Sequence, residues 1–71
     1  FIRERYGCPI KIYRNTVGTI RGNDLSFPIE VQGIQYAIVV VIGAKSLKLE
    51  DQQNIVSIIT NNLEPYYLYG N

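Results

Sequence analysis

One uninterrupted apolar run dominates the hydrophobic pattern, and it extends from Tyr36 to Ile42 between Gly33 and Gly43. Five of its seven residues are β-branched. A run this short cannot span a membrane, and its composition is typical of a strand that is buried on both faces. The run therefore predicts the central strand of a sheet.

A shorter stretch, residues 10 to 14, alternates apolar and polar side chains. This is the period of a half-buried strand. We expect Ile10 and Ile12 to face the core and Lys11 to face water. The pattern of residues 10 to 20 fits one bent strand and a short hairpin equally well, so both interpretations stay open.

Residues 28 to 31 form a third strand pattern directly before the apolar run. Pro28 has no amide proton, which places it at the start of this strand or on a sheet edge. The dipeptide Gln32-Gly33 separates the two strands, and glycine supplies the positive φ that tight hairpin turns require. Residues 28 to 31 are thus predicted to pair antiparallel with the apolar run.

The apolar period changes to that of a helix from Leu49 onward. Acidic residues in the first turn, Glu50 and Asp51, complement the helix dipole. Because proline disfavours the helical conformation of the residue before it, Pro65 is expected to end this helix at about Leu63. A second, shorter helix is predicted over residues 1 to 6, with Gly7 as its left-handed C-terminal residue.

The predicted fold class is α+β: a small antiparallel sheet of three to five strands, with one C-terminal helix packed on one face. The central strand is apolar on both faces, since side chains alternate along it. The face made by Ala37, Val39 and Val41 has no evident cover in the sequence. An N-terminal segment, the tyrosine-rich tail, further domain sequence or a second copy would each serve, and we favour self-association.

Tyrosine is the enriched aromatic residue, with six copies against two phenylalanines. Tyrosine suits interfaces because a rigid apolar ring carries a polar tip. The tyrosines that follow Pro65 are expected either to pack on the sheet or to form an interface or pocket rim. The candidate interface residues are Ala37, Val39, Val41, Tyr66, Tyr67 and Tyr69.

Catalytic and cofactor chemistry finds little support in the sequence. The chain has no histidine, which removes the commonest general base and metal ligand. Cys8 is the single cysteine and has no CxxC partner. Glu50 and Asp51 are adjacent, so on a helix they point about 100° apart and cannot act as a catalytic pair. No phosphate-binding glycine motif is present. We therefore expect no enzymatic activity, no cofactor and no metal.

Residues 27 to 65 resemble the C-terminal half of a GAF domain, a relative of the PAS fold. The resemblance is carried by Phe27-Pro28-Ile29-Glu30-Val31, the Gln32-Gly33 turn, the apolar run, and the acidic start of an aliphatic terminal helix. A GAF domain is about twice as long as this chain, and Lys48 stands where a helix-capping Ser or Thr usually precedes the acidic pair. The resemblance implies a GAF-like regulatory or sensory module, but it carries over no ligand-binding residues.

The sequence thus predicts one small domain over residues 1–71, either a minimal GAF-like domain or a fragment. Its expected function is a non-enzymatic regulatory or interaction module that acts through self-association or a partner domain. One alternative is a single-stranded nucleic-acid binder that uses an N-terminal Arg/Tyr segment. A net charge of +1 gives that alternative little support. Another is a fragment of a larger enzyme.

With no export signal or apolar span and a lone cysteine, a cytoplasmic location is expected.

The N-terminal Arg/Tyr segment alternates basic and aromatic side chains, and its members are Arg3, Arg5, Tyr6, Tyr13 and Arg14.

Overall fold

The computed structural model describes the backbone of residues 2–14, 18 and 20–69. It describes the side chains of these residues except those of Ile2, Arg3 and Tyr69. A hairpin within residues 10 to 20 would rest on residues outside this set. The elements are α1 (Ile2–Tyr6), β1 (Ile10–Tyr13), β2 (Leu25–Val31), β3 (Ile34–Val41), a 3-10 turn (Ala44–Ser46) and α2 (Leu49–Tyr69).

The three strands form one antiparallel sheet in the order β1-β3-β2. The apolar run is therefore the central strand, as predicted, and α2 packs on one face of the sheet. The α+β class is confirmed. Gly7 has a φ of 72° directly after α1, as expected for the residue that ends a helix.

The hairpin between β2 and β3 turns at Gln32 and Gly33, and Val31 pairs with Ile34 across it. Both turn residues have positive φ, 54° for Gln32 and 80° for Gly33. This is the conformation of a type I′ turn, whose twist matches that of the flanking strands. The predicted hairpin is confirmed, but β2 begins at Leu25, three residues before the predicted start.

A β-bulge in β3 changes which side chains face α2. Ile29 pairs with Ala37 whereas the next residue of β2, Glu30, pairs with Gln35, so Tyr36 is the extra residue. The bulge interrupts the alternation of side chains between the two faces of the sheet. The Tyr36 ring stacks on Tyr67 of α2, with ring centroids 5.3 Å apart. Tyr36 therefore lies on the same side of the sheet as Ala37, whereas strict alternation along the strand predicts the opposite side.

The core lies between α2 and the face of β3 that carries Ala37, Val39 and Val41. These three side chains are fully buried, in one cluster with Ile55 and Ile59 of α2. The prediction that this face lacks a cover is wrong: alternation along β3 gives two apolar faces but does not say which one the helix takes. The other members of the cluster are Cys8, Ile29 and Ala44.

Helix α2 continues through Pro65 to Tyr69, although the sequence predicts an end near Leu63. An interior proline removes one helical hydrogen bond and costs about 3 kcal/mol. Contacts of the last turns with the rest of the protein favour continuation, because Leu63 and Tyr67 pack against the core cluster and Tyr67 stacks on Tyr36. Tertiary packing thus outweighs the local preference.

On the face of the sheet opposite α2, described residues that precede β2 lie beside β3. β1 and β2 flank β3, and residues 14–24 connect them in the sequence. Ile20, near the end of the connection, lines a recess with Ile38 of β3 and Pro28 of β2. Val40 is only 3% exposed on this face. Among the described residues, β3 thus has α2 over one face and Ile20 beside Ile38 on the other.

Candidate interaction surface

The sheet has two free edges within the described residues, the outer sides of β1 and β2. A free edge exposes backbone N–H and C=O groups that can pair with another strand. Proteins usually protect such edges with proline, charge or a covering element. The two edges of this sheet differ in that protection: β2 carries Pro28 and Glu30, whereas β1 carries Lys11 and no proline.

The outward groups of β1 follow from the pairing register. Ile10 is opposite Val41, and the Ile42 N–H donates to the Pro9 C=O at 2.9 Å. In an antiparallel ladder, a hydrogen bond between the residue before Ile10 and the residue after Val41 marks Ile10 and Val41 as a non-hydrogen-bonded pair. The N–H and C=O groups of such a pair point away from each other. The N–H and C=O of Ile10, and by alternation those of Ile12, therefore point outward from the sheet. No other described strand pairs with them.

The side chains of Ile10 and Ile12 lie on the α2 side of the sheet, since they are opposite Val41 and Val39. They are nevertheless 38% and 49% exposed. They face the core side of the sheet, as predicted, but α2 packs mainly over β2 and leaves β1 largely uncovered. The β1 edge thus combines outward backbone groups with two exposed isoleucines.

The edge of β2 is protected. The same register places the outward backbone groups of β2 at Ser26 and Pro28, because Leu25 and Phe27 bond inward to β3. Pro28 has no N–H, so its position costs no hydrogen bond within the sheet and removes a donor from the free edge. An edge position for Pro28 is one of the two that the sequence allowed. We call the outer side of residues 10–13 the β1 edge and treat it as the candidate site.

The predicted interface residues are not one surface. Ala37, Val39 and Val41 are buried within the chain and cannot contact a partner without displacement of α2. Tyr66 is 62% exposed and its ring meets Tyr67 edge-on, with centroids 5.1 Å apart. The Tyr69 side chain lies outside the described residues. The tyrosine tail therefore contributes partly to packing and leaves Tyr66 accessible.

The Arg/Tyr residues of the nucleic-acid hypothesis are likewise separated. Tyr6 packs against the core cluster on the α2 side, whereas Tyr13 is opposite Ile38 on the other face. The Arg5 guanidinium lies 5.4 Å from the centre of the Tyr6 ring, so its charge is directed at a ring of its own helix. The Arg3 side chain lies outside the described residues, and the side chains that are described offer no continuous stacking platform for bases.

A concavity of about 550 Å³ lies on the face opposite α2, lined by Lys11, Tyr13, Arg21, Asp24, Val40 and Ile42. Asp24 is buried, and its carboxylate accepts backbone hydrogen bonds from Arg21 N–H at 3.2 Å and Gly43 N–H at 3.0 Å. These bonds join the loop before β2 to the turn after β3. The carboxylate therefore has a structural role, since both oxygens accept bonds from the protein itself.

Reactive groups are scarce in the described part of the chain. Cys8 is buried, and its Sγ donates to the Tyr6 C=O at 3.6 Å. Among the described residues, no cluster of acidic and cysteine side chains could hold a metal ion. No described helix combines the length and the apolar composition that crossing a bilayer demands.

Sequence reasoning missed the β1 edge because it expected Ile10 and Ile12 to face the core and did not predict that α2 leaves them exposed. A signal was present: Pro28 marks one edge strand as protected, whereas residues 10–13 contain no proline. The resemblance of residues 27 to 65 to a GAF domain stays a prediction. Comparisons of this chain with family models, with curated proteins and with solved structures gave no match.

Proposed function

We propose that this protein is a non-enzymatic interaction module that associates with a second polypeptide chain by strand pairing at the β1 edge. The observation that carries the proposal is the contrast between the two edges. The β2 edge lacks a donor at Pro28, whereas the β1 edge presents the N–H and C=O groups of Ile10 and Ile12 next to their exposed side chains.

Strand addition uses these groups directly. A partner strand would satisfy the outward backbone groups of β1 and cover part of the two isoleucines, and both effects favour association. The partner is either another copy of the chain or a separate domain, and the same edge serves both. A regulatory role through association agrees with the lack of a catalytic constellation. We also propose a cytoplasmic location, which the lone, unpaired Cys8 supports.

The proposal predicts that Ile12→Lys abolishes self-association of the purified protein. Because the Ile12 side chain is half-exposed, lysine there has little effect on the fold, and its charge disfavours a strand beside it. Sedimentation velocity from about 10 µM to about 1 mM covers the range expected for a small interface. The wild-type protein should show a concentration-dependent dimer, and Ile12→Lys should stay monomeric.

The matched control is Ile34→Lys, the same change at an isoleucine that is 57% exposed at the far end of the sheet. It should associate as the wild-type protein does. A wild-type protein that is monomeric at every concentration would contradict self-association. Equal loss of association in both variants would show that general surface charge, and not the β1 edge, controls the effect.

A further inference from the structure

We infer that the occupant of the β1 edge is β1 of a second copy, paired antiparallel about a two-fold axis that passes between the two Ile12 residues. This inference rests on the proposed function, because it specifies the partner and register of the same edge. Three features of the described residues support it: the protection of the β2 edge, the outward backbone groups at every second residue of β1, and the charge on Lys11.

The first feature is that a dimer joined at β1 leaves no unprotected edge strand to which a third chain could add. Two copies joined at β1 form a six-stranded sheet whose outer strands are both β2. Each outer strand carries Pro28, which lacks the N–H that a further strand would need. A two-fold interface uses the same patch on both copies, so the dimer leaves no β1 edge free. Assembly therefore stops at two chains and does not continue into a filament.

The second feature limits the possible registers. Hydrogen-bonded residues of the two copies must both have outward groups, which within β1 belong to Ile10 and Ile12, so each register must contain a bonded pair formed from these two residues. A two-fold axis then allows three registers. They place Ile12 opposite Ile12, Ile10 opposite Ile12, or Ile10 opposite Ile10 of the second copy. The third brings Ile12 opposite Cys8, which lies outside β1 and is buried.

The third feature distinguishes the first two registers. With Ile10 opposite Ile12, the two copies of Lys11 face each other in a non-hydrogen-bonded pair, where side chains are closest and like charges repel. With Ile12 opposite Ile12, each Lys11 instead faces Tyr13 of the second copy, an aromatic neighbour for a cation. The register centred on Ile12 is therefore favoured.

The geometry also determines where the exposed isoleucines go. A two-fold axis perpendicular to the sheet keeps both copies of α2 on the same side. Because α2 lies mainly over β2, the two helices flank a groove above the paired β1 strands. The Ile10 and Ile12 side chains of both copies line the floor of that groove. A strand pair with a half-open groove buries less area than standard interfaces do, so a weak dimer is expected.

Disulfide trapping tests the register. Two variants, Ile10→Cys and Ile12→Cys, are made in a Cys8→Ala background so that each chain has a single thiol. They are incubated separately and as an equal mixture in a glutathione redox buffer, and the products are identified by intact mass. Directly opposite residues have Cα atoms about 5.5 Å apart in a hydrogen-bonded pair, within the range that a disulfide spans.

The inference predicts that the 12–12 disulfide forms in several-fold excess over the 10–12 and 10–10 products. A predominant 10–12 or 10–10 product would overturn it in favour of another register at the same edge. Sedimentation of the untrapped variants separates this failure from failure of the proposed function. Dimers that give none of the three disulfides would overturn both, because the interface would then lie away from β1. Monomers throughout would overturn the inference, and the β1 edge would then be left to a separate domain, which the proposed function allows.

Discussion

Replacing Ile55 by alanine is expected to remove about 2–5 kcal/mol from the free energy of unfolding. Ile55 is fully buried at the centre of the contact between α2 and the sheet, so the change leaves a cavity that neighbouring side chains only partly fill. A chain of 71 residues has a total stability of about 4–11 kcal/mol. The variant should therefore lose a large fraction of its stability, measured by urea denaturation at 25 °C.

Ile34→Ala is the matched control for this experiment, because it makes the same change at an isoleucine that is largely exposed at the hairpin. Its free energy of unfolding should lie within about 0.5 kcal/mol of the wild-type value. Similar losses in the two variants would contradict the packing of α2 on the sheet. A change in the slope of the unfolding free energy against urea concentration would instead indicate an altered unfolded or native state.

The second large effect is expected for Val39→Asp, which should prevent folding at neutral pH. Val39 lies at the middle of the central strand and is covered by α2, so a carboxylate there would lose its hydration without gaining a partner. Circular dichroism should show loss of the cooperative thermal transition. The control, Gln35→Asp, places the same side chain at an exposed position of β3 and should fold.

Val39→Ala gives a measurable version of the same test if the aspartate variant cannot be purified. Loss of two buried methyl groups should cost about 2 kcal/mol by urea denaturation. A value near zero would mean that the face of Ala37, Val39 and Val41 is not the face that α2 covers.

The local architecture was predictable where one physical signal dominates. The uninterrupted apolar run identified the central strand, and the Gln32-Gly33 dipeptide identified the hairpin, because the type I′ turn requires positive φ at both positions. The helical period after Leu49 located α2. Its end was not predictable, because Pro65 acts locally, whereas the contact between Tyr36 and Tyr67 joins residues that are distant in the sequence.

The candidate site was less predictable because it depends on how the elements are arranged in space. The alternation in residues 10 to 14 correctly gave a strand, and its isoleucines do lie on the α2 side. Their exposure follows from the position of α2 over β2, which no local pattern encodes. In the same way, two apolar faces were evident for β3, but the assignment of α2 to Ala37, Val39 and Val41 required the packed structure.

The central claim is that a second chain pairs with β1 at its outer edge. Amide hydrogen exchange of the wild-type protein, measured by NMR at increasing protein concentration, tests it most directly. The Ile12 N–H should exchange progressively more slowly as the dimer forms, while the outward Ser26 N–H at the β2 edge should be unaffected. Ile12 exchange that is independent of concentration while the protein associates would contradict the claim.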